Sequence, residues 1–185
     1  MAPFAGHITD ILSLLTLLAD IFAVALFLLL ITPLKRHSWG RTLADFFGER
    51  AIFLSFLVAF AATFGSLFYS QVVGFPPCDL CWWQRIFLYP QTILLFTAFI
   101  KKDENMRLHS IVLSSVGALI ALYQTFIQFG GSSLVPCSAT GPSCTVLYFL
   151  EYGYITIPTM SLTAFVLLLL FMAAPNPKRK EVNEL

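Results

Sequence analysis

The sequence predicts an all-α integral membrane protein, a four-helix transmembrane bundle with one additional transmembrane helix at its N-terminus. Three observations carry this. Hydrophobic residues make up 58% of the 185 and charged ones only 11%, with a mean hydropathy of +0.81. The apolar residues gather into five runs, at about 10–31, 51–73, 82–100, 108–129 and 155–171. A helix of ~20 such residues crosses a bilayer core of ~30 Å. Third, ten of the eleven basic residues fall in connections on one side of these runs. Within lipid each run is helical, because a helix satisfies its backbone polar groups inside one segment. The net charge of +1 gives no indication of a nucleic-acid partner.

The run at 10–31 is expected to be a retained span. No Lys or Arg precedes it, it is longer than the apolar core of a signal peptide, and no small-residue cleavage site follows. Asp20 sits at mid-run. A carboxylate at that depth is costly, so it is expected to be neutral and hydrogen-bonded between helices, paired, or facing a polar groove. Residues 39–50 are polar enough for a short cytoplasmic surface helix. The second run carries Gly65-Ser66 and the fourth Ser114-Ser115-Gly117-Ala118, small residues that suggest close helix contacts. The third begins after Pro76-Pro77, with Asp79 the expected N-cap. Pro90 within it is expected to kink the helix and open a cavity beside Arg85. Residues 145–154 are too short to span and are expected in the interface, with Tyr148, Tyr152 and Tyr154 at headgroup level. Residues 175–185 are a charged tail.

Charge sets orientation. Lys35, Arg36, Arg41 and Arg50 follow the first run, Lys101, Lys102 and Arg107 the third, and Lys178, Arg179 and Lys180 the fifth. That side is expected to be cytoplasmic. The N-terminus is then outside, the C-terminus inside, and the outer segments are 74–81 and 130–154. All four cysteines lie in them: Cys78 and Cys81 with two residues between, and Cys137 and Cys144 with six.

Outside a membrane, disulfides persist. The cysteines admit static bridges, a metal site or a redox relay. A tetrahedral metal site needs four converging thiolates, and the wide second spacing with no nearby His argues against it. Cys137 and Cys144 alone would suit a loop staple worth a few kcal/mol at most. A bridge across two residues constrains little, and that spacing instead tunes redox poise and lowers a thiol pKa. Cys81 falls in the first turn of the third span, where the macrodipole favours a thiolate. Arg85, four residues on, shares its helix face. A cation at the membrane edge is a functional candidate, able to hold Cys81 as thiolate and to meet a carbonyl-bearing acceptor. The alternative is an arginine that snorkels to the headgroups.

The run Pro77-Cys78-Asp79-Leu80-Cys81-Trp82-Trp83-Gln84-Arg85-Ile86-Phe87-Leu88-Tyr89-Pro90 resembles the signature of the disulfide bond formation protein B family, above all its Bacillus-type branch. The second cysteine pair, with Tyr148, Glu151-Tyr152 and Ile155-Thr156-Ile157-Pro158, is also similar to that branch. The resemblance covers about residues 51–174, leaving 1–50 as an added helix and loop and 175–185 as a tail. It implies a four-helix bundle in the cell membrane, with cysteine loops outside. Such a bundle re-oxidises an extracytoplasmic thioredoxin-fold dithiol oxidase (DsbA-like) and passes two electrons to a membrane quinone, ubiquinone or menaquinone. By the family pattern Cys137 forms the mixed disulfide with the partner, Cys144 pairs transiently with Cys78, and Cys81 with Arg85 faces the quinone. The extra N-terminal span and the close spacing of the loop pair depart from the family's best-known members.

Gln71, Gln84, Gln91, Gln124 and Gln128 fall mostly in outer helix halves, as packing glue between helices or as donors to a quinone carbonyl. Gln71 and Tyr89 stand with Cys81 and Arg85 as candidate quinone-binding residues, and Tyr69 and Tyr89 also suit a belt or core. Two other readings remain at this point. A vitamin-K-epoxide-reductase-like enzyme also combines a small bundle with Cys-x-x-Cys, though typically late in the bundle. A non-catalytic membrane scaffold would hold its cysteines as structural disulfides.

Overall fold

The structure, a computed structural model, describes residues 3–32, 38–132 and 142–176. Six α-helices stand among them: α1 Pro3–Ile31, α2 Ser38–Glu49, α3 Ala51–Leu67, α4 Asp79–Lys101, α5 Met106–Gln128 and α6 Ile157–Ala173. A π-turn, Phe68–Val72, prolongs α3. The described residues form no strand, only an isolated bridge between Glu151 and Ile155. Gly6–Ile31, Ala51–Val72 and Met106–Gln128 are long and apolar enough to cross a membrane, and α6 is a shorter apolar helix. All five predicted runs are helices. α4 is as long as α5, but its polar Gln84 and Gln91 lower its hydropathy, and both are buried against neighbours.

Helices α3, α4, α5 and α6 close a ring in which each packs on two others, while α1 lies against α6 and α2 touches α1, α3 and α6. Leu88, Leu95, Phe165, Leu168 and Met172 form the ring's centre. The outer faces stay apolar: Ile93 is 68% and Leu119 66% exposed. Aliphatic surface of that extent is a liability in water and the natural face toward lipid.

Polar pairs set the register between helices. Gln91 of α4 accepts hydrogen bonds from Ser110 (2.9 Å) and Ser114 (3.1 Å) of α5, and Thr63 meets Thr92 at 2.9 Å between α3 and α4. Gly117 lies directly under the Phe165 ring, which a Cβ there would overlap. The Ser114–Ala118 cluster therefore marks a close helix contact, as its small residues predict. Gly65 does not, since nothing lies near the place of its Cβ. It borders a cleft instead.

The cytoplasmic-side expectation for Arg107 needs a refinement. Arg107 is 4% exposed, and its guanidinium donates to the carbonyls of Gly48 and of Ala174 (3.0 Å), and to Glu104 (2.7 Å). These carbonyls end α2 and α6, where helices leave acceptors unpaired. One buried fork thus ties three helix ends together.

The start of α4 also differs from expectation. Cys78, with extended backbone (φ −77°, ψ 173°), is the N-cap, and Asp79 is the first helical residue. The double proline before Cys78 favours extended backbone, so the helix begins once past it. Helix α4 runs on through Pro90, and Pro90 is exposed, away from the cleft. At the other end of the chain, Thr156 donates its backbone N–H to Thr159 (2.6 Å) and Pro158 sits in the first turn, which fixes the start of α6.

Candidate functional site

Because Cys78 caps α4 and Cys81 is its third helical residue, both sulfurs point to one place. They lie 3.1 Å apart and both are free. A disulfide bond is about 2.0 Å long, so this is a dithiol whose sulfurs share a proton. The run expected from the sequence to be the third span begins just after the pair, at Trp82.

From α5, Gln124 Nε2 reaches both sulfurs, 3.2 Å from Cys78 Sγ and 3.3 Å from Cys81 Sγ. Gln84 Nε2 donates to Gln124 Oε1 at 2.6 Å. That bond occupies the carbonyl end of the Gln124 amide and turns its two donors toward the sulfurs. The Cys78 thiol, donating to Cys81, pulls the Cys81 pKa down to about 6, against burial and with help from Gln124 and Arg85. Cys78 moves the opposite way, because it holds the shared proton and is buried. Cys81 is therefore the thiolate and Cys78 the thiol.

Arg85 lies one helical turn beyond Cys81. Its Nε donates to Ser66 Oγ (3.1 Å) and its Nη2 to the Ser66 carbonyl (3.2 Å). Tyr89 donates to the same Oγ at 3.0 Å. The guanidinium also lies over the Trp82 ring, 5.2 Å from its centre. It is thus tied inward to α3. Ser66 immediately precedes the end of α3, before the π-turn begins at Phe68, a helical irregularity frequent at functional sites.

Below these groups a cleft of about 260 Å³ opens among α1, α3, α4 and α6. Ser66, Cys81, Gln84 and Arg85 form its polar end, and Val58, Ala62, Leu88 and Leu167 are among its apolar walls. An aromatic roof covers the polar end. Phe75 and Tyr148 stack at 4.3 Å, Tyr148 donates to the Pro76 carbonyl at 2.8 Å, and Phe149 sits 5.4 Å from Tyr69. Tyr148 is thus turned over the cleft, whereas Tyr152 and Tyr154 are exposed.

On the other side of the dithiol, a small void of about 20 Å³ is bordered by Cys78, Cys81, Gln124 and Cys144. Cys144 is fully buried, packs with Cys78 and Ile127, and is disulfide-bonded. Cys137 lies outside the described residues. So do Lys35, Arg36 and the tail from 177 onward.

Two candidates stand differently from the rest. Gln71 is exposed and does not border the cleft. Tyr89 does not border it and meets it through Ser66 and through the Arg85 guanidinium, 5.9 Å from its ring centre. Ser66 and Gln124 are the contacts that spacing did not single out. Gln124 was one of five similar glutamines, and only the crossing of α4 and α5 separates it from Gln128, which holds the Val146 carbonyl (2.9 Å) and Thr156 (3.0 Å). Asp20 accepts hydrogen bonds from Tyr154 (2.8 Å) and Thr163 (2.6 Å), the interhelical arrangement expected of it.

The family model described as disulfide bond formation protein DsbB matches residues 48–174. The chain is 44% identical over 115 residues to the SPbeta prophage-derived disulfide bond formation protein B of Bacillus subtilis (strain 168), covering 62% of this chain and 78% of that one. Disulfide bond formation protein C of the same strain is 35% identical over 137 residues, 72% of this chain and 99% of its own. Probable disulfide formation protein C 1 of Bacillus anthracis is 40% identical over 119 residues, 64% and 86% of the two chains. No solved structure matches.

Proposed function

The chain belongs to the disulfide bond formation protein DsbB family, and from that premise we propose that it is a membrane thiol:quinone oxidoreductase. It re-oxidises an extracytoplasmic thioredoxin-fold dithiol protein and so supports disulfide formation in exported proteins. One observation carries the reading: Cys81 borders both the void shared with Cys144 and the cleft headed by Arg85. The dithiol therefore stands between Cys144 and a site fit for a small planar acceptor.

The chemistry is two exchanges in series. A thiolate of the partner attacks the Cys137/Cys144 disulfide, the bond between those sulfurs breaks, and the partner leaves oxidised. The loop dithiol then attacks the Cys78/Cys81 disulfide, Cys144 bonding transiently to Cys78, until the loop bridge re-forms and the Cys78/Cys81 pair is a dithiol. Closing that pair again releases two electrons and the Cys78 proton, the Cys81 proton having already left to solvent. A quinone bound in the cleft would supply the acceptor for the electrons, taking up the Cys78 proton and one from solvent. The residues fit such a group: an apolar slot with the Arg85 guanidinium, the Ser66 hydroxyl and the Cys81 thiolate at one end suits a ring bearing carbonyls, and small-molecule sites are built in this way. Arg85 and Ser66 would hold a carbonyl oxygen there, and Cys78, helped by Gln124 and Arg85, keeps Cys81 ionised.

The orientation that goes with this has five spans, α1, α3 with its π-turn, α4, α5 and α6, with the N-terminus outside and both cysteine segments extracytoplasmic. The test is quinone-analogue reduction by a reduced thioredoxin-fold protein, with each cysteine changed in turn to serine. Each of Cys78→Ser, Cys81→Ser, Cys137→Ser and Cys144→Ser is expected to abolish turnover. A wild-type chain that transfers no electrons, or loop-pair variants that retain full rate, would overturn the reading.

A further inference from the structure

Helix α1 lies ahead of the segment the family model matches, which begins at residue 48. It nevertheless forms one wall of the cleft: Leu12, Leu15, Thr16 and Ala19 border the same space as Cys81 and Arg85. Its sequence explains the docking. Ser13, Thr16 and Asp20 recur at helical spacing on one face, an arrangement that would be costly facing lipid. The structure turns that face inward. Ser13 is fully buried, with no hydrogen-bond partner for its hydroxyl among the described residues, and Thr16 is half-buried at the cleft. Asp20 lies at the lower edge of this polar stretch and is held from two sides, by Thr163 of α6 and by Tyr154 of the segment before it. Beyond Asp20 the same face becomes apolar. Ala23, Leu26 and Leu30 pack with Leu167, Phe171 and Ala174, and Phe22 lies 6.0 Å from Phe171.

We propose that α1 is a structural wall of the acceptor site rather than a separate anchor, and that Asp20 is the positioning residue that holds it against the cleft. Thr163 itself borders the cleft, so the Asp20 clip acts at the cleft wall. The clip sets the gap between the α1 wall and the bundle in which the acceptor and the start of its apolar tail are held. This rests on the proposed quinone acceptor and adds the fifth helix to its binding site.

The test uses the full chain in detergent and a photoreactive short-chain azidoquinone, with the labelled segments mapped by mass spectrometry. Label on residues 12–19 as well as near Ser66 or Arg85, competed by unlabelled quinone analogue, is the expected result. Label confined to α3, α4 and α6 overturns the role of α1 and leaves the acceptor site standing. Absence of competable label anywhere overturns the acceptor site, and the α1 proposal with it. A second measurement separates positioning from folding. Asp20→Leu is expected to raise KM for the quinone analogue about tenfold, the loss of two hydrogen bonds at the wall, without raising KM for the dithiol protein. Asp20→Asn, which keeps an acceptor oxygen, is expected to recover most of that loss. Equal increases in both KM values, or none in either, would count against the clip.

Discussion

At Gln124 one amide meets two sulfurs, and the Gln84 bond dictates which end of the amide they see. The consequence is measurable as pH dependence. Cys81 has its pKa lowered to about 6, so its thiolate persists at neutral pH and is lost as the pH falls through that value. Alkylation of the reduced protein by iodoacetamide is expected to modify Cys81 first, with a rate that falls below pH ~6, while Cys78 stays unreactive across the neutral range. Gln124→Leu removes the donor and is expected to move the alkylation midpoint up by about one pH unit. A midpoint unmoved in that variant would assign the thiolate to the Cys78 thiol, the helix turn and Arg85 without Gln124. Much of this site was legible in the residues. The two-residue spacing, the first-turn position of Cys81 and the offset of Arg85 are local relations, and a helix converts them directly into geometry. Ser66 and Gln124 were not, because they come from α3 and α5, and which of several polar residues meets the sulfurs depends on how helices cross. Gln71 fails for the same reason: it follows Ser66 closely in sequence, but the π-turn carries it to an exposed face.

Among the helices, two contacts show what holds the ring at its ends and its middle. The Arg107 fork satisfies carbonyls that end α2 and α6, and removing it strands them in a buried place. Arg107→Ala is expected to lower Tm by about 5–10 °C in detergent. Arg107→Lys should recover only part, since one ammonium cannot reproduce the planar fork. Where Phe165 sits on Gly117, Gly117→Val is expected to cost ~1–3 kcal/mol by overpacking, and Phe165→Leu in the same chain should relieve much of it. Additive losses in that double variant would remove the contact as the cause. Apolar length identified all five long helices, because in a membrane-sized run length and hydropathy leave little choice, and the polarity of residues 39–50 pointed to the short helix α2. The detail that failed was set by neighbours: Asp79 yielded the cap position to Cys78 after the double proline. The cavity expected beside Arg85 is present, where α1, α3, α4 and α6 meet, and Pro90 does not border it.

For the whole molecule, the relay requires that both cysteine segments face the same compartment, and that depends on α4. It is the long helix that hydropathy alone does not identify as a span, because it carries Gln84, Arg85 and Gln91. Those groups are turned onto α3 and α5, so the bundle rather than lipid receives them, and the outward Ile86, Ile93 and Phe96 are exposed and apolar. A polar helix shielded in this way can cross the membrane as part of the ring. If it does, five spans alternate, and the cysteines at 78–81 and at 137 and 144 emerge together. Paired alkaline phosphatase and green fluorescent protein fusions give the map. Phosphatase is expected to be active after residues 74 and 131, and fluorescence to appear after residues 36, 103 and 176. Phosphatase active after 103 would mean that α4 re-enters without crossing. The basic residues Lys101, Lys102 and Arg107 would then lie outside, against the charge rule, and the loop pair would be stranded across the bilayer from Cys78 and Cys81. Disulfide exchange needs contact between sulfurs, so that single result would break the electron path even with every cysteine intact.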